Sequence, residues 1–512
     1  MVEATISMRH EYNILGRDAN NDEQLYWLLG PWLIVTLAFG GIIVPKLELI
    51  LQLVCKQHLT EMANKDPNFS YIPIVLGGDD NDQCRTPEVQ ALVAQFTLYC
   101  SLVGGLLAAV ISPKLGALSD RYGRKKLMLI TNLGMISGEV VTILCAKYPE
   151  TFPVQWIIVS YAIDGLCGSF IAAMALANSY ATDCTPPAQR SSGFALFHGC
   201  LFTGVAVGPI IAGVITEKTG TVLTVFYIMV AAHSSFVLLL MFVIPESLSK
   251  ARQQAAREKY RQEQAELGPA ADWINQIRGF NLFAPLKILL PTGRGTSATL
   301  RRNMFFLAAT DTTMFGVAMG SMTVVIIYTN YQFGWKTPES ARYMSIVNTC
   351  RVTCLVVILP LITRLVRGPR GNRQKRHTGA DLFDLTVIRF AVLFDTLGYL
   401  GYTLARDGTL FTLSGMLASV GGVGSPMLQS ALTKSVPPDR TGQLLGATGL
   451  LHALARVVAP TVFNAIYKAT VGGFTQTVFV CLTATFGVAF LLSWFVRPHG
   501  KSSLAWIMHA RE

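Results

Sequence analysis

Long apolar segments alternate with short polar segments along most of the chain. A segment of roughly 20 apolar residues is long enough to cross a bilayer as a helix. Such segments lie at residues 28–55, 91–113, 127–146, 156–180, 193–216, 222–245, 304–328, 341–365, 383–404, 409–432, 443–467 and 474–496. Backbone groups in lipid must be satisfied within the segment, and these segments are too long for barrel strands. The pattern therefore predicts an all-α polytopic membrane protein with twelve transmembrane helices.

The predicted spans fall into two blocks of six. The N-terminal block covers residues 28–245, and the C-terminal block covers residues 304–496. The remaining segments are an N-terminal tail (1–27), a central loop (246–303) and a C-terminal tail (497–512). The central loop contains SKARQQAAREKYRQEQAE, and such a dense run of charged, helix-favouring residues predicts a surface helix.

The two blocks also resemble each other in sequence. TDCTPPAQR (182–190) follows the fourth span, and TKSVPPDR (433–440) follows the tenth. Each stretch precedes an apolar span with an internal proline, Pro209 or Pro460, and these two prolines are 251 residues apart, as are both prolines of the two stretches. The halves are therefore predicted to be parallel repeats, related by an axis along the membrane normal.

Basic residues are distributed unevenly among the loops. The formal net charge is +11. The tails and the loops after even-numbered spans hold about three times as many Lys and Arg residues as the other loops, which predicts that they are cytoplasmic. The first residues include no apolar stretch typical of a signal peptide, in agreement with a cytosolic amino terminus. Because orientation explains the basic loops, we expect no nucleic-acid partner.

The loop after the first span has two features of an extracytoplasmic segment. Asn68 begins an N-x-S sequon, and glycans are added only on the luminal side. Cys55 and Cys84 flank the same loop and could form a disulfide in an oxidising compartment. The alternative is an unused sequon and two reduced thiols. The remaining cysteines lie in or beside apolar spans, where free Cys behaves as a small hydrophobe.

The turn between the second and third spans reads GALSDRYGRKK (116–126). A loop that only orients the chain needs Lys and Arg, but neither an acid nor glycines. The motif resembles the loop 2–3 signature of the major facilitator superfamily. The resemblance implies a gate in which the acid pairs with the bases and with a helix end while the cavity faces outward. The residues of this gating motif are Gly116, Asp120, Arg121, Gly123, Arg124 and Lys125.

The glycines of the motif, Gly116 and Gly123, are both expected to allow a tight turn. The corresponding loop of the second half, TRLVRGPRGNRQKRHTG, is basic but lacks the D-R-x-G core. A gate of this kind is therefore expected in one half only.

The fifth span carries a second motif, G-x3-G-P-x2-A-G. It resembles the fifth helix of tetracycline-type drug/proton antiporters, with Ala212 in place of one glycine. Together with PKLELILQLVC at the end of the first span and the paired cysteines of the first loop, this motif looks closest to fungal relatives of the proton-coupled folate transporter. In the major facilitator superfamily the fifth helix lies at the interface between the halves. The resemblance therefore implies that Gly204, Gly208, Pro209 and Gly213 are interface residues. The alternative is that these small residues only let helices pack tightly.

Ionisable residues inside spans are functional candidates because burying charge in lipid is costly. The resemblance places several near a central cavity: Lys46, Glu48, Asp164, His198, Asp311, Arg351, His452 and Arg456. Asp164 or Asp311 is the predicted proton carrier, because burial favours the neutral form of a carboxyl group. Lys46 and Arg456 are predicted to bind an anionic or polar group of the substrate. Static ion pairs between helices are the alternative, and they are favoured for Glu139 and for Arg389 with Asp395.

The combined features predict a secondary active transporter that moves a small organic solute by alternating access, driven by a proton gradient. Efflux of drugs or metabolites is favoured; the alternatives are proton-coupled uptake of an organic anion and a membrane sensor of the same fold. The chain lacks the G-x4-G-K-[ST] phosphate loop of an ATP-driven pump, and its histidines are scattered, so we expect neither an enzyme nor a metal site. We expect no cofactor. Membrane lipid and a small-molecule substrate are the expected partners, and the chain is expected to be a monomer. The expected location is the plasma membrane, with the vacuolar membrane as the alternative.

Overall fold

The structure is a computed structural model that describes residues 22–66, 71–72, 74, 82–187, 189–266, 284–291, 297–335, 337–367, 380–470 and 473–498. The helices of the first half are α1 (Asp22–Lys65), α2 (Pro87–Tyr122), α3 (Arg124–Lys147), α4 (Trp156–Leu166), α5 (Ser169–Cys184), α6 (Arg190–Thr219) and α7 (Leu223–Phe242). A surface helix, α8 (Lys250–Glu266), follows in the central loop, where the charged run predicted it.

The helices of the second half are α9 (Ala298–Phe333), α10 (Thr337–Thr353), α11 (Leu359–Arg367), α12 (Leu382–Leu404), α13 (Gly408–Gly421), α14 (Gly424–Lys434), α15 (Thr441–Thr470) and α16 (Thr477–Trp494). Eleven helical segments of the described chain are long and apolar enough to cross a membrane. The ninth predicted span is α12, which carries three charged residues and packs against α13 and α16. The all-α class and the twelve-helix bundle are thus confirmed.

Two of the predicted spans are interrupted near their middle. The fourth span consists of α4 and α5, separated at Gly168, whose φ of 91° lies in the left-handed region that favours glycine. The tenth span consists of α13 and α14, separated at Gly422–Val423. The prediction of continuous helices was wrong at these two places. Apolarity predicts which segments cross the membrane, but it does not report a local change of backbone direction.

The eighth span contains a widened turn. A π-helical stretch, Cys354–Ile358, joins α10 to α11 directly before Pro360. Proline has no N–H to donate and its ring crowds the preceding turn, so a helix that contains it must adjust locally. The span therefore continues through the proline by way of a π-helical turn.

The glycines of the fifth span pack within the first half. A Cβ at Gly204 would overlap the carbonyl group of Thr36, and one at Gly208 would overlap the backbone at Gly41. Gly213 has open space around it. These contacts bring α6 against α1, so the prediction that Gly204 and Gly208 lie at the interface between the halves was wrong. For Pro209 and Gly213 it stays a prediction. Two long helices of one half can approach this closely only where side chains are absent.

Aromatic side chains form the centre of each half. In the first half the Trp32 ring lies 5.8 Å from Phe170 and 5.9 Å from Phe197, between ring centroids. In the second half Tyr328 packs at 4.7 Å from Phe479 and at 5.8 Å from Phe411. Each half is therefore held together by its own apolar packing.

The first loop is closed by a covalent bond. Cys55, on α1, forms a disulfide with Cys84, in the 3₁₀ turn Asp82–Arg85. Asn68, the candidate glycosylation site, lies outside the described residues. The disulfide ties the end of α1 to the start of the second span.

Candidate functional site

The loop 2–3 motif lies at one end of the bundle, which we call the basic end and define by Arg124, Arg190 and Lys434. One residue, Gly123, separates α2 from α3, and its φ is 99°. A Cβ at Gly123 would also overlap the carboxylate of Glu246. Gly123 therefore allows the tight turn that the sequence predicts.

Gly116 serves a different purpose from the predicted one. It lies inside α2, and a Cβ at this position would overlap the carbonyl oxygen of Gly442 on α15. The prediction that Gly116 allows a turn was wrong. Its missing side chain instead lets the second span of one half touch the eleventh span of the other.

Asp120 binds the end of a helix that belongs to the other half. Its Oδ1 accepts a hydrogen bond from the backbone N–H of Gly442 at 3.0 Å, and Oδ2 accepts one from Gln443 at 2.9 Å. Helix α15 begins at Thr441, so both amides belong to its first turn. The first turn has free N–H groups and the positive end of the helix dipole, which stabilise a carboxylate. The acid therefore joins the halves at the basic end.

Arg124 lies in a buried cluster with two acids. Its side chain is fully buried, with Nη1 at 2.7 Å from Asp120 Oδ1 and Nε at 2.8 Å from Asp183 Oδ2. Nη1 also donates to the hydroxyl of Ser119 at 2.6 Å. A buried cation is tolerated when acids and hydrogen bonds surround it, and removing one partner leaves an uncompensated charge. The cluster therefore depends on all of its members.

Glu246, which sequence reasoning missed, caps the start of α3. Its carboxylate accepts the backbone N–H groups of Arg124 at 2.8 Å and Lys125 at 3.2 Å. Burial raises the pKa of the Glu246 carboxyl above its usual range, although these backbone hydrogen bonds oppose the shift. A usable signal was present, since Glu246 comes just after the sixth span, on the same predicted side as the basic motif.

The other bases of the motif contact different partners. The Arg121 guanidinium carbon lies 3.4 Å from the ring centroid of Tyr260 on α8, and Lys125 donates to the carbonyl of Met241. Helix α8 also reaches the second half, where Arg252 donates to the carbonyl of Pro438 and Lys259 pairs with Asp439 at 2.9 Å. Helix α8 thus contacts the segment that connects α14 to α15, directly before the first turn of α15 that Asp120 binds.

Two further hydrogen bonds join the halves near the basic end. Arg190, at the start of α6, donates to the carbonyl of Thr433 at 3.2 Å. The side-chain amide of Asn178 on α5 donates to that of Gln429 on α14 at 2.5 Å. Together with Asp120 and α8, these contacts form what we call the latch, and they close the space between the halves at this end.

Lys46, a predicted substrate residue, is paired within the first half. Its Nζ lies 2.8 Å from Glu139 Oε1 on α3 and 4.7 Å from the ring centroid of Tyr161. Both side chains of the pair are largely buried. The structure therefore pairs Lys46, which was predicted to bind substrate in the cavity, with Glu139, which was predicted to form a static ion pair.

Removing one member of this pair should destabilise the protein. Glu139→Gln leaves Lys46 as a buried cation without its acid, so we expect the free energy of unfolding to fall by about 3–5 kcal/mol. The double variant Lys46→Met/Glu139→Leu should lose less than Glu139→Gln alone, because no charge remains to be compensated. Unfolding in detergent measures both effects. The exposed pair Lys56–Glu150 is the control, where Glu150→Gln should cause no measurable change; equal losses in both pairs would contradict the expectation.

Asp311 and His452, two predicted candidates, lie in direct contact. His452 Nε2 is 2.9 Å from Asp311 Oδ2, and the Asp311 side chain is almost fully buried. The imidazole stacks on Phe315 at 4.2 Å between centroids. His198, on α6 of the other half, is also buried and lies close enough to both groups to interact electrostatically. The structure thus gathers three titratable groups between the halves.

The other candidates are more dispersed. Asp164 lies at the end of α4, beside the break, with Oδ1 buried and without a hydrogen-bond partner. Arg456 is exposed on α15 and interacts electrostatically with Asp164 across the halves. Arg351, on α10, lies 4.8 Å from the ring centroid of Phe202 on α6. Glu48 is partly buried on α1. Asp164, Arg456 and Arg351 thus have neighbours in the opposite half.

The structure does not pair Arg389 with Asp395. Arg389 donates to the carbonyl of Val496 and lies over the ring of Trp494. Asp395 instead packs against the backbone of Gly421, beside the break between α13 and α14. Six positions separate the two residues on α12, which places them on different faces of the helix. The expected structural pair was therefore wrong.

A comparison with protein families agrees with this architecture. The profile of the family described as Major Facilitator Superfamily matches residues 86–460, which is more than half of the chain. The MFS-type transporter avaJ of Aspergillus versicolor is 28% identical over 474 residues, which cover 92% of this chain and 88% of that protein.

Two of the predicted resemblances recur among the relatives. The class C tetracycline resistance protein of Escherichia coli is 26% identical, with 71% of this chain and 78% of that protein covered. The proton-coupled folate transporter of Rattus norvegicus is 21% identical, with 75% and 74% covered. Among solved structures, the human organic anion transporter MFSD10 (TETRAN) shares the fold with a TM-score of 0.66 at 17% identity, covering 92% of this chain and 99% of that one.

Proposed function

Because the chain belongs to the major facilitator superfamily, we propose that it is a secondary active transporter that moves a small organic solute by alternating access. The observation that carries this proposal is the contact of Asp120 with the first turn of α15. It joins the two halves through a charge held by a helix end, and such a contact can be broken and made again without unfolding either half. The latch is the gate in its closed form, at the predicted cytoplasmic end.

The proton is the proposed coupling ion, and Asp311 with His452 is the proposed proton site. A carboxyl group and an imidazole 2.9 Å apart can share a proton, and both groups interact electrostatically with His198 of the opposite half. A change of charge at this pair alters the interactions between the halves. This property is what coupling a proton flux to a conformational change requires.

Efflux of a drug or metabolite is the favoured direction, and uptake of an organic anion is the second candidate. The likeness to tetracycline resistance proteins supports efflux. Arg351 and Arg456 favour an anionic group on the solute, since Arg351 lies on Phe202 of the other half and Arg456 is exposed near Asp164. Both directions use the same gate and proton site.

A cellular accumulation panel tests the proposal. Cells that lack or carry the protein are exposed to a set of toxins and a set of organic anions, with and without a protonophore. Lower accumulation of a toxin in carrying cells supports efflux, and higher accumulation of an anion supports uptake; the protonophore should abolish either difference. Binding of a solute to the purified protein without any flux would overturn the proposal in favour of a sensor.

A further inference from the structure

Asn178 and Gln429 occupy equivalent positions of the two repeats. They are 251 residues apart, the same offset that relates Pro209 to Pro460. Their side-chain amides are nevertheless in contact, at 2.5 Å between Nδ2 and Oε1. Two equivalent positions can touch only on the axis that relates the repeats. This hydrogen bond therefore lies on the pseudo-twofold axis of the transporter, at the centre of the space that the latch closes.

A line of polar side chains connects this central bond to the proposed proton site. Gln429 Nε2 lies 3.5 Å from Ser425 Oγ, and Ser425 Oγ lies 3.4 Å from Asp311 Oδ1. Ser425 and Gln429 are four residues apart on α14 and therefore share one face of this half-helix. The backbone carbonyl of Thr433, near the C-terminal end of the same half-helix, accepts the hydrogen bond from Arg190. Helix α14 thus touches the proton site and two contacts of the latch.

All donors along this line point toward Asp311. Asn178 donates to Gln429, Gln429 donates to Ser425, and Ser425 donates to the Asp311 carboxylate. An ionised carboxylate only accepts hydrogen bonds, so it fixes the Ser425 hydroxyl as a donor. Its oxygen then accepts from Gln429, whose amide must present its own oxygen to Asn178. The charge on Asp311 therefore sets the orientation of the central bond.

A proton on Asp311 Oδ1 reverses this order. The protonated oxygen donates to Ser425, and the serine hydroxyl then points toward the NH₂ group of Gln429. Two donors facing each other are unfavourable, so the Gln429 amide turns and presents its NH₂ group to the NH₂ group of Asn178. The central bond is then lost unless the Asn178 amide turns as well, and that turn leaves the Asn178 NH₂ group buried without a partner. Proton binding therefore weakens the contact between the two half-helices α5 and α14.

The central bond is also poorly suited to a permanent contact. Asn178 is almost fully buried, yet its Oδ1 has no hydrogen-bond partner. A buried polar atom without a partner destabilises the state that contains it. Helix α14 is separated from α13 at Gly422–Val423 and α5 from α4 at Gly168, so each half-helix can move without its outer half.

We propose that Ser425 and Gln429 relay the protonation of Asp311 to the Asn178–Gln429 bond on the pseudo-twofold axis, so that proton binding opens the basic end. The inference rests on the proton site assigned under the proposed function. Both residues are positioning residues, since neither binds the proton. The titratable groups that face Asp311 are His452 on α15 and His198 on α6. Two other elements pack against α9: helix α16, whose one titratable residue is Cys481, and the 3₁₀ turn Ala284–Leu289, whose Lys287 is exposed.

Hydrogen–deuterium exchange of the full chain in detergent tests this relay without a known solute. The backbone amides of Gly442 and Gln443 donate to Asp120 in the closed latch, so their exchange rate reports opening. After correction for intrinsic exchange, we expect this rate in the wild type to rise about tenfold or more as the pH falls from about 8 to 5.5. Ser425→Ala should reduce the change to about twofold or less, because the relay is cut while Asp311 and the latch remain.

Two variants serve as controls for this experiment. Ser430 lies on the same half-helix, is fully buried, and its hydroxyl has no hydrogen-bond partner; Ser430→Ala should keep the wild-type pH response. Ser425→Thr restores a hydroxyl and should keep it as well. Glu246 and Asp120 are unchanged in all three variants, so differences in pH response between the variants isolate the relay.

The outcomes separate the relay from the proton site. A full pH response in Ser425→Ala, with none in Asp311→Asn, overturns the relay and leaves the proton site in place. A full response in Asp311→Asn overturns the proton site and the relay together. A loss of the response in Ser430→Ala also overturns the relay, because any small cavity in α14 would then have the same effect.

Discussion

Replacing Asp120 by asparagine is expected to lower the transport rate about 100-fold. Asparagine keeps the shape of the side chain, but it loses the charge that pairs with Arg124 and with the first turn of α15. Only the two backbone hydrogen bonds from α15 join the halves, since Arg124 belongs to the same half as Asp120. A hydrogen bond to a charged group contributes about 1.5–3 kcal/mol, and about 3 kcal/mol corresponds to a factor of about 100 in the population of the closed state. The initial rate of proton-driven transport in liposomes measures the effect.

Lys126→Gln is the matched control for this substitution. Lys126 ends the same motif, but its side chain is exposed. The variant removes one charge from the loop without touching the Asp120 cluster, so we expect a rate close to that of the wild type. Folded Asp120→Asn protein with an unchanged rate would show that the contact with α15 is not a gate.

Replacing Asp311 by asparagine is expected to abolish accumulation driven by a proton gradient. With one proton per cycle, a gradient of two pH units can support an accumulation of about 100-fold, since each unit corresponds to a factor of ten. Asparagine fits the same space but binds no proton, so the accumulation ratio should fall to about one while exchange of solute continues. The measurement compares steady-state accumulation with solute exchange in the same liposomes.

Asp164→Asn distinguishes the two carboxyl groups that the sequence singles out. Asp164 lies in the opposite half from Asp311 and touches no titratable partner as closely as Asp311 touches His452. We expect this variant to keep proton-driven accumulation. Loss of coupling in Asp164→Asn alone would move the proton site to α4, and unchanged coupling in both variants would contradict a carboxyl proton site of either kind.

The sequence predicted the fold well because lipid imposes strong rules on a chain. The spans, their number and the family resemblance carried by GALSDRYGRKK are confirmed. The breaks at Gly168 and at Gly422–Val423 were missed, since the hydropathy of each segment is that of one continuous span. Glycines do not by themselves indicate a break, because Gly40-Gly41 and Gly104-Gly105 lie in continuous helices.

The candidate site was harder to predict because it depends on how each helix is rotated. Asp311 and His452 were both candidates, but only the packing of α9 against α15 brings them within 2.9 Å. The rotation of the helices likewise pairs Lys46 with Glu139 instead of directing Lys46 to the cavity. Asn178 and Gln429 were not predicted, because an uncharged amide in a span is common and its partner lies in the other half. The repeat offset was the one signal that related them.

Transport by purified protein in liposomes with an imposed pH gradient tests whether the chain is a proton-coupled transporter. The solute is the one that the cellular panel identifies, and the gradient is applied in each direction in turn. We expect concentrative uptake that a protonophore abolishes, driven by an acidic interior if the protein exchanges solute for protons and by an acidic exterior if it carries both together. Solute flux of equal size with and without the gradient, in either direction, would contradict it.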